Sequence, residues 1–210
     1  LVIQGAELKG IEYTPPVASA QVKSCVLLAG LTAEGVTRVT ELAQTRDHTE
    51  RALPVFGVPV RTDGLRITVS GGIEHSPASI TVPKDFSAAS FFILAALMVP
   101  GSEIRMPGVG INPTRTGILA LLENSGIHVE KQNSRSSAGE PVCDLSVRYQ
   151  PETAASFPAA IGGKWIPNLI DEIPVLAILG TQLKEGLRVS DAGELRKKES
   201  DRIRSTVDNL

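Results

Sequence analysis

The sequence is poor in the residues from which metal centres and disulfide frameworks are built. It holds two cysteines, Cys25 and Cys143, and three histidines, His48, His75 and His128, none of them spaced as ligands. A metal site draws on clusters of such side chains, so this composition argues against one. Both cysteines stand in apolar company and are expected to be buried free thiols. Long apolar runs are also lacking. The longest, Phe91 to Pro100, falls far short of the roughly 18 residues that suggest a membrane span. No basic, then apolar, then small-residue leader opens the chain, so the expected compartment is the cytosol, without a membrane partner. Nor is there an excess of one charge. A formal net charge of −2 creates no broad field for nucleic acid, and none is expected as a partner. Anion binding must come from local clusters.

What is present is the makings of one or two cores, with 42% hydrophobic residues in a chain of 210. The chain opens on Leu1 inside a strand-like run rather than on Met. Its last segment places Ile203, Val207 and Leu210 at helical spacing and stops without Gly or Pro. It is expected to be an internal piece of a longer protein.

One order of signals recurs along the chain: a small-residue apolar helix, a Gly, a short strand, a polar turn and a second helix. "SAQVKSCVLLAGLTAEG" leads through "VTRVTEL" to "TRDHTERALPVFGVPV". "SAASFFILAALMVPG" leads through "SEIRMPGV" to "NPTRTGILALLENSGIHVE". "DEIPVLAILGTQLKEG" leads through "LRVSDAGEL" to "RKKESDRIRSTVDNL". Ser19 to Arg46, Ser87 to Arg115 and Asp171 to Lys198 span 27, 28 and 27 residues, so a polar residue opening each first helix keeps its distance from a later cation. Period-2 stretches such as "LRITVSG" and "CDLSVRY" supply further strands. The expected fold class is α/β, a βαβαββ unit repeated about three times. The polar stretch "KQNSRSSAGEP" after the second copy reads as a surface loop. A hinge is expected in "ITVPKDFSAAS", with the boundary near Lys84, dividing residues 1–83 from 84–210.

Ser19, Ser87 and Asp171 read as N-caps of the first helices, where free N–H groups and the helix dipole also suit a phosphate. Ser87 is expected to be a cap alone. Near Ser19, Gln21 and Lys23 add an amide and a cation to the same turn. Asp171, flanked by Ile170, Ile173 and Pro174, would stand at the edge of an apolar surface, where burial can tune a proton acceptor; a cap is the equal alternative. If a helix begins near Lys198, Lys198 and Arg202 stack one turn apart as like charges at its N-terminal end, against the dipole. A solvated face tolerates that. A bound carboxylate or phosphate would instead turn the repulsion into charge-assisted bonds, with Glu199 beside it to move a proton. "TRDHTER" offers the same mixture through Arg46, Asp47 and Glu50, with His48 structural.

The stretches "ASAQVKSCVLLAGL", "TRDHTERAL", "NPTRTG", "DEIPVLA" and "ELRKKESDRI", in this order over nearly the whole chain, resemble the 5-enolpyruvylshikimate-3-phosphate synthase family. "SAQ", where many relatives have two serines, is similar to the glyphosate-tolerant branch of that family. The resemblance implies the two-lobed enolpyruvyl transferase fold, with three βαβαββ units per lobe and lobes that close on their ligands. Residues 1–83 would then end the first lobe and 84–210 form most of the second, incomplete at both ends. It implies transfer of the enolpyruvyl group of phosphoenolpyruvate to the 5-hydroxyl of shikimate 3-phosphate, with no metal or organic cofactor, in an enzyme expected to be a monomer at full length. Ser19, Ala20 and Gln21 would hold the shikimate phosphate, Gln21 would also reach phosphoenolpyruvate, and Arg46 would lie over the shikimate ligand. Asp171 would accept the hydroxyl proton, Lys198 bind shikimate 3-phosphate, Glu199 handle the methylene proton and Arg202 grip phosphoenolpyruvate. Absent are the family's N-terminal Lys, Ser and Arg cluster, its glycine-rich loop with Arg, and its C-terminal Arg and Lys, so the piece alone is expected to turn over little. Two rivals remain: the UDP-N-acetylglucosamine enolpyruvyl transferase, against which "TRDHTE" and "KESDR" speak, and a non-catalytic remnant that binds phosphate esters.

Overall fold

Val36–Thr40 and Arg66–Ser70 each alternate between buried and partly or fully exposed positions, the pattern of strands with one face on a core. In a computed structural model that describes residues 2 and 4–210, the two pair antiparallel with Thr37 opposite Val69 and Val39 opposite Ile67, all four buried. The chain divides into two units. One runs up to Val82 and includes Ser137–Glu140; the other takes Pro83–Ser136 and Pro141–Leu210.

The first unit contains β1 (Glu12–Tyr13), α1 (Ala20–Gly30), β2 (Val36–Thr40), α2 (His48–Ala52), β3 (Arg61–Asp63) and β4 (Arg66–Ser70), one βαβαββ repeat. Its sheet has the order β1-β2-β4-β3, with β1 parallel to β2 and β4 antiparallel to both neighbours. α1 packs on β2. The approach is close enough that a Cβ on Gly30 would lie 2.7 Å from the Thr37 side chain, so only glycine lets helix and strand meet there. Leu27, Val39, Leu53, Val58, Ile67 and Val69 form the core.

The second unit repeats the plan with its opening strand reduced to a parallel bridge between Lys84 and Val109. α3 (Phe86–Met98), β5 (Glu103–Gly110), α4 (Gly117–Asn124), β6 (Glu130–Ser137) and β7 (Glu140–Arg148) follow, in sheet order β5-β7-β6. Between Met106 and Val109 the β5–β7 register shifts, and the Gly108 N–H of that bulge donates to Asp144 at 2.8 Å. A third copy begins after α5 (Thr153–Ser156). It contains β8 (Ala160–Ile161), α6 (Ile166–Leu169), α7 (Ile173–Gly180), β9 (Arg188–Val189) and α8 (Arg202–Asn209), with β8 parallel to β9 as β1 is to β2. α3 packs against α7, and their apolar faces share one core with Val109, Ile118, Leu122 and Leu145. The repeated α/β architecture is the one expected from the sequence.

Several local expectations differ from the structure. The stretch from Lys131 to Pro141 is not a loop: it carries most of β6, the turn and the start of β7. Two residues connect the strands, Ala138 at φ 49° and Gly139 at φ 78°, the two positive values that a tight hairpin of right-handed twist demands. β6 lies at the sheet edge and is almost wholly exposed, which is why its residues are polar and read as loop. Ser87 is not an N-cap. Asp85 caps α3, accepting from the N–H groups of Ser87 and Ala88, and frees Ser87 for another bond. Asp171 is not a cap either, since α7 starts two residues later behind Glu172. Cys143 is buried as expected, whereas Cys25 is exposed, because the inward stripe of α1 runs through Lys23, Leu27 and Gly30 and leaves position 25 on the other side.

Candidate functional site

In the first unit, Ser19 caps α1 by accepting from the Val22 N–H at 3.3 Å, so Ser19, Ala20 and Gln21 form the first turn with Gln21 exposed. Arg46 stands half-buried in the loop between β2 and α2, just before Asp47, the N-cap residue of α2. Lys23 is where sequence reasoning misses. Read as a cation beside the helix start, it is fully buried, with Nζ 3.2 Å from Glu41 and 2.7 Å from Glu50. It cannot meet a ligand at the surface. The signal was its spacing, since Lys23 occupies the same face as Leu27 one turn on. His48 donates to or accepts from Glu140 at 2.7 Å, and Arg51 pairs with Asp47 at 2.9 Å.

In the second unit, Arg202 opens α8 behind the cap Asp201, whose carboxylate accepts from the Arg204 N–H. Its guanidinium spans two acids, donating to Asp171 at 3.1 Å and to Glu199 at 2.7 Å. Asp171 is held in the turn before α7, with its side chain 20% exposed; Glu199 is 79% exposed and belongs to the segment before α8. The exposed pair contributes little stability, so its geometry is cheap to change when a ligand arrives. Glu199 is held below the ordinary carboxylate range by its own backbone N–H and by the Arg202 guanidinium, while the same bond pushes Arg202 up.

Lys198 departs from its expected place. It is extended, following a 3₁₀ turn over Gly193–Lys197, and α8 begins only at Arg202. The two cations therefore do not stack on one helical face. Lys198 instead pairs with Glu194 at 3.1 Å, and Arg196 with Asp201 at 2.8 Å, so the run of charges is neutralised locally. The dipole conflict read from the sequence dissolves because Asp201, an anion, occupies the cap.

A further network was invisible in the sequence. Ser87 Oγ donates to Glu172 at 2.5 Å, and Arg115 donates to both Asp85 at 2.8 Å and Ser87 Oγ at 3.1 Å. Glu172 is 2% exposed and adjacent to Asp171, so this network is anchored beside the turn that carries Asp171. The three repeats thus treat equivalent positions differently. In the second copy, serine and arginine bond each other; in the third, Asp171 faces Arg202. Among the described residues no group of three or more His, Cys, Asp or Glu is arranged to hold a metal, and no helix is long and apolar enough to cross a membrane.

A family model described as EPSP synthase (3-phosphoshikimate 1-carboxyvinyltransferase) matches residues 1–210. The 3-phosphoshikimate 1-carboxyvinyltransferase of Bacillus subtilis (strain 168) is 49% identical over all of this chain and 48% of its own length, so the chain spans about half of that relative. A solved EPSP synthase from Acinetobacter baumannii is 42% identical and superposes with a TM-score of 0.80, over 97% of this chain and 45% of that one. The enolpyruvyl transferase NikO from Streptomyces tendae, at 18% identity and TM-score 0.56 over 75% of this chain and 36% of its own, shares the fold.

Proposed function

This chain belongs to the EPSP synthase family, and from that premise we propose that the full-length protein transfers the enolpyruvyl group of phosphoenolpyruvate to the 5-hydroxyl of shikimate 3-phosphate, releasing phosphate. The observation that carries the reading is the Arg202 guanidinium held between Asp171 and Glu199. One cation flanked by two carboxylates suits a reaction that must grip an anion and move two protons.

Asp171 takes the proton of the 5-hydroxyl as its oxygen bonds to the central carbon of phosphoenolpyruvate. Glu199 delivers a proton to the methylene carbon, giving a tetrahedral intermediate with a methyl group. Loss of phosphate breaks the carbon–oxygen bond to the phosphoryl group, and Glu199 recovers the methyl proton, leaving the enolpyruvyl ether. Arg202 binds phosphoenolpyruvate, and Ser19, Ala20, Gln21, Arg46 and Lys198 bind shikimate 3-phosphate, with Gln21 also reaching phosphoenolpyruvate. Its own backbone N–H and then the Arg202 guanidinium keep Glu199 ionised, so arrival of an anion that draws the guanidinium away raises the acid's proton affinity when it must donate. Lys198 and Glu194 separate in the same event. Positioning and fixed charge supply the catalysis. Residues 1–83 close the first lobe of this enzyme and 84–210 form most of the second; it works as a cytosolic monomer.

A phosphate-release assay on the full-length protein tests this directly. Release that requires both phosphoenolpyruvate and shikimate 3-phosphate is expected, with the 210-residue piece nearly silent. Release with UDP-N-acetylglucosamine as acceptor, and none with shikimate 3-phosphate, would assign the other transferase.

A further inference from the structure

We infer, resting on the reading above, that Lys23 is a positioning residue that fixes the Ser19–Gln21 turn against the Thr45–Arg46 loop. Lys23 lies on the first turns of α1, close behind Ser19, Ala20 and Gln21, and is 0% exposed. Its ammonium reaches two other elements at once: Glu41 at 3.2 Å, just past the end of β2, and Glu50 at 2.7 Å, on α2. Glu41 in turn accepts from the Thr45 backbone N–H at 3.2 Å and from the Thr45 hydroxyl. Thr45 is the neighbour of Arg46. One buried cation therefore ties the helix turn, through a single carboxylate, to the residue next to the arginine. A second tie runs alongside, with Ser24 Oγ 2.6 Å from Thr49 Oγ1.

Packing alone does not ask for this arrangement. A buried ammonium between two carboxylates carries a desolvation cost that a methionine of similar length avoids. The arrangement also leaves Glu50 Oε2 buried without a hydrogen-bond partner. What the charges add is direction, since each ion pair holds its two elements at one separation and orientation. Lys23 touches no ligand. It acts through the residues on either side of it.

The test uses the full-length protein and two variants. Lys23→Met alone leaves Glu41 and Glu50 buried without their cation, and it is expected to fold poorly. Lys23→Met/Glu41→Gln/Glu50→Gln removes the three charges and keeps the shape and the Thr45 acceptor. In the triple variant, amide hydrogen exchange is expected to rise about tenfold at residues 19–23 and 43–47 and to stay unchanged in β4, with the melting temperature near wild type. KM for shikimate 3-phosphate is expected to rise about tenfold, with kcat moved much less. Unchanged exchange in the two segments, or a rise spread evenly over the first unit, would overturn the role. If neither Lys23 variant folds, Glu41→Gln, which weakens the ammonium link alone, is read by the same exchange criterion. Hydrogen exchange decides the role of Lys23 whatever the substrate; absence of phosphate release by the wild-type protein would count against the proposed reaction instead.

Discussion

Arg202 donates to Oδ1 of Asp171 across 3.1 Å although the two are 31 positions apart, one at the start of α8 and the other in the turn before α7. The contact joins a group proposed to bind an anion to a group proposed to accept a proton, and it sets up the first expected outcome.

Asp171→Asn keeps the shape and a hydrogen-bond acceptor but removes the base. In the full-length protein, kcat is expected to fall by about 10²–10⁴-fold, the usual share of one acid–base group, with KM for both substrates changed far less. Arg202→Lys keeps the charge and loses the two-pronged grip, so it is expected to raise KM for phosphoenolpyruvate. Steady-state kinetics with each substrate varied in turn distinguishes the two.

Glu199 should titrate below the ordinary carboxylate range in the ligand-free protein, because its own backbone N–H and then Arg202 favour the ionised form. A depressed folded-state pKa contributes stability above the unfolded value of about 4.3, lost as pH falls through the folded value. Arg202→Met should move Glu199 back up. Carboxyl-carbon NMR titration of wild type and variant measures this, and an unmoved Glu199 would separate it from Arg202.

Ala138 bears a left-handed conformation at φ 49°, which costs an L-residue about 1–2 kcal/mol. Ala138→Gly relieves that strain and gives part back as unfolded-state entropy. A net gain of about 0.5–1 kcal/mol is expected, read as a higher midpoint in urea unfolding.

Ser87→Ala removes the donor from Glu172, a buried carboxylate. A hydrogen bond to a charged group contributes about 1.5–3 kcal/mol, and a loss of that size is expected in the unfolding free energy. Because Glu172 adjoins Asp171, kcat of the full-length protein should fall as well. A stability loss without a kinetic effect would show that the Asp171 turn holds without this bond.

The repeated architecture was legible because it is written in local signals. Alternation along Val36–Thr40 and Arg66–Ser70 and the serine before Ala20 both survive in a one-dimensional reading. The Asp85 cap, the β6–β7 hairpin and the late start of α8 were not legible. Asp85 and Ser87 are both good caps by type, and only the backbone path selects one. The edge strand β6 has no apolar face to betray it. Asp201 took the cap that the run of cations concealed.

The sequence by itself determined the α/β repeat, the family, and which side-chain chemistries are available: cations and carboxylates, with few metal-ligating residues. Only the tertiary structure decided which of those charges face a partner. It buried Lys23 between Glu41 and Glu50, tied Lys198 to Glu194, and set Arg202 between Asp171 and Glu199. Helix and strand periods depend on neighbours along the chain, whereas the pairing of Lys23 with Glu41 and Glu50 and of Arg202 with Asp171 depends on a separation of a few ångströms between residues far apart in it. Even the local pairs Lys198–Glu194 and Arg202–Glu199 depend on where the 3₁₀ turn ends and α8 begins, which packing fixes.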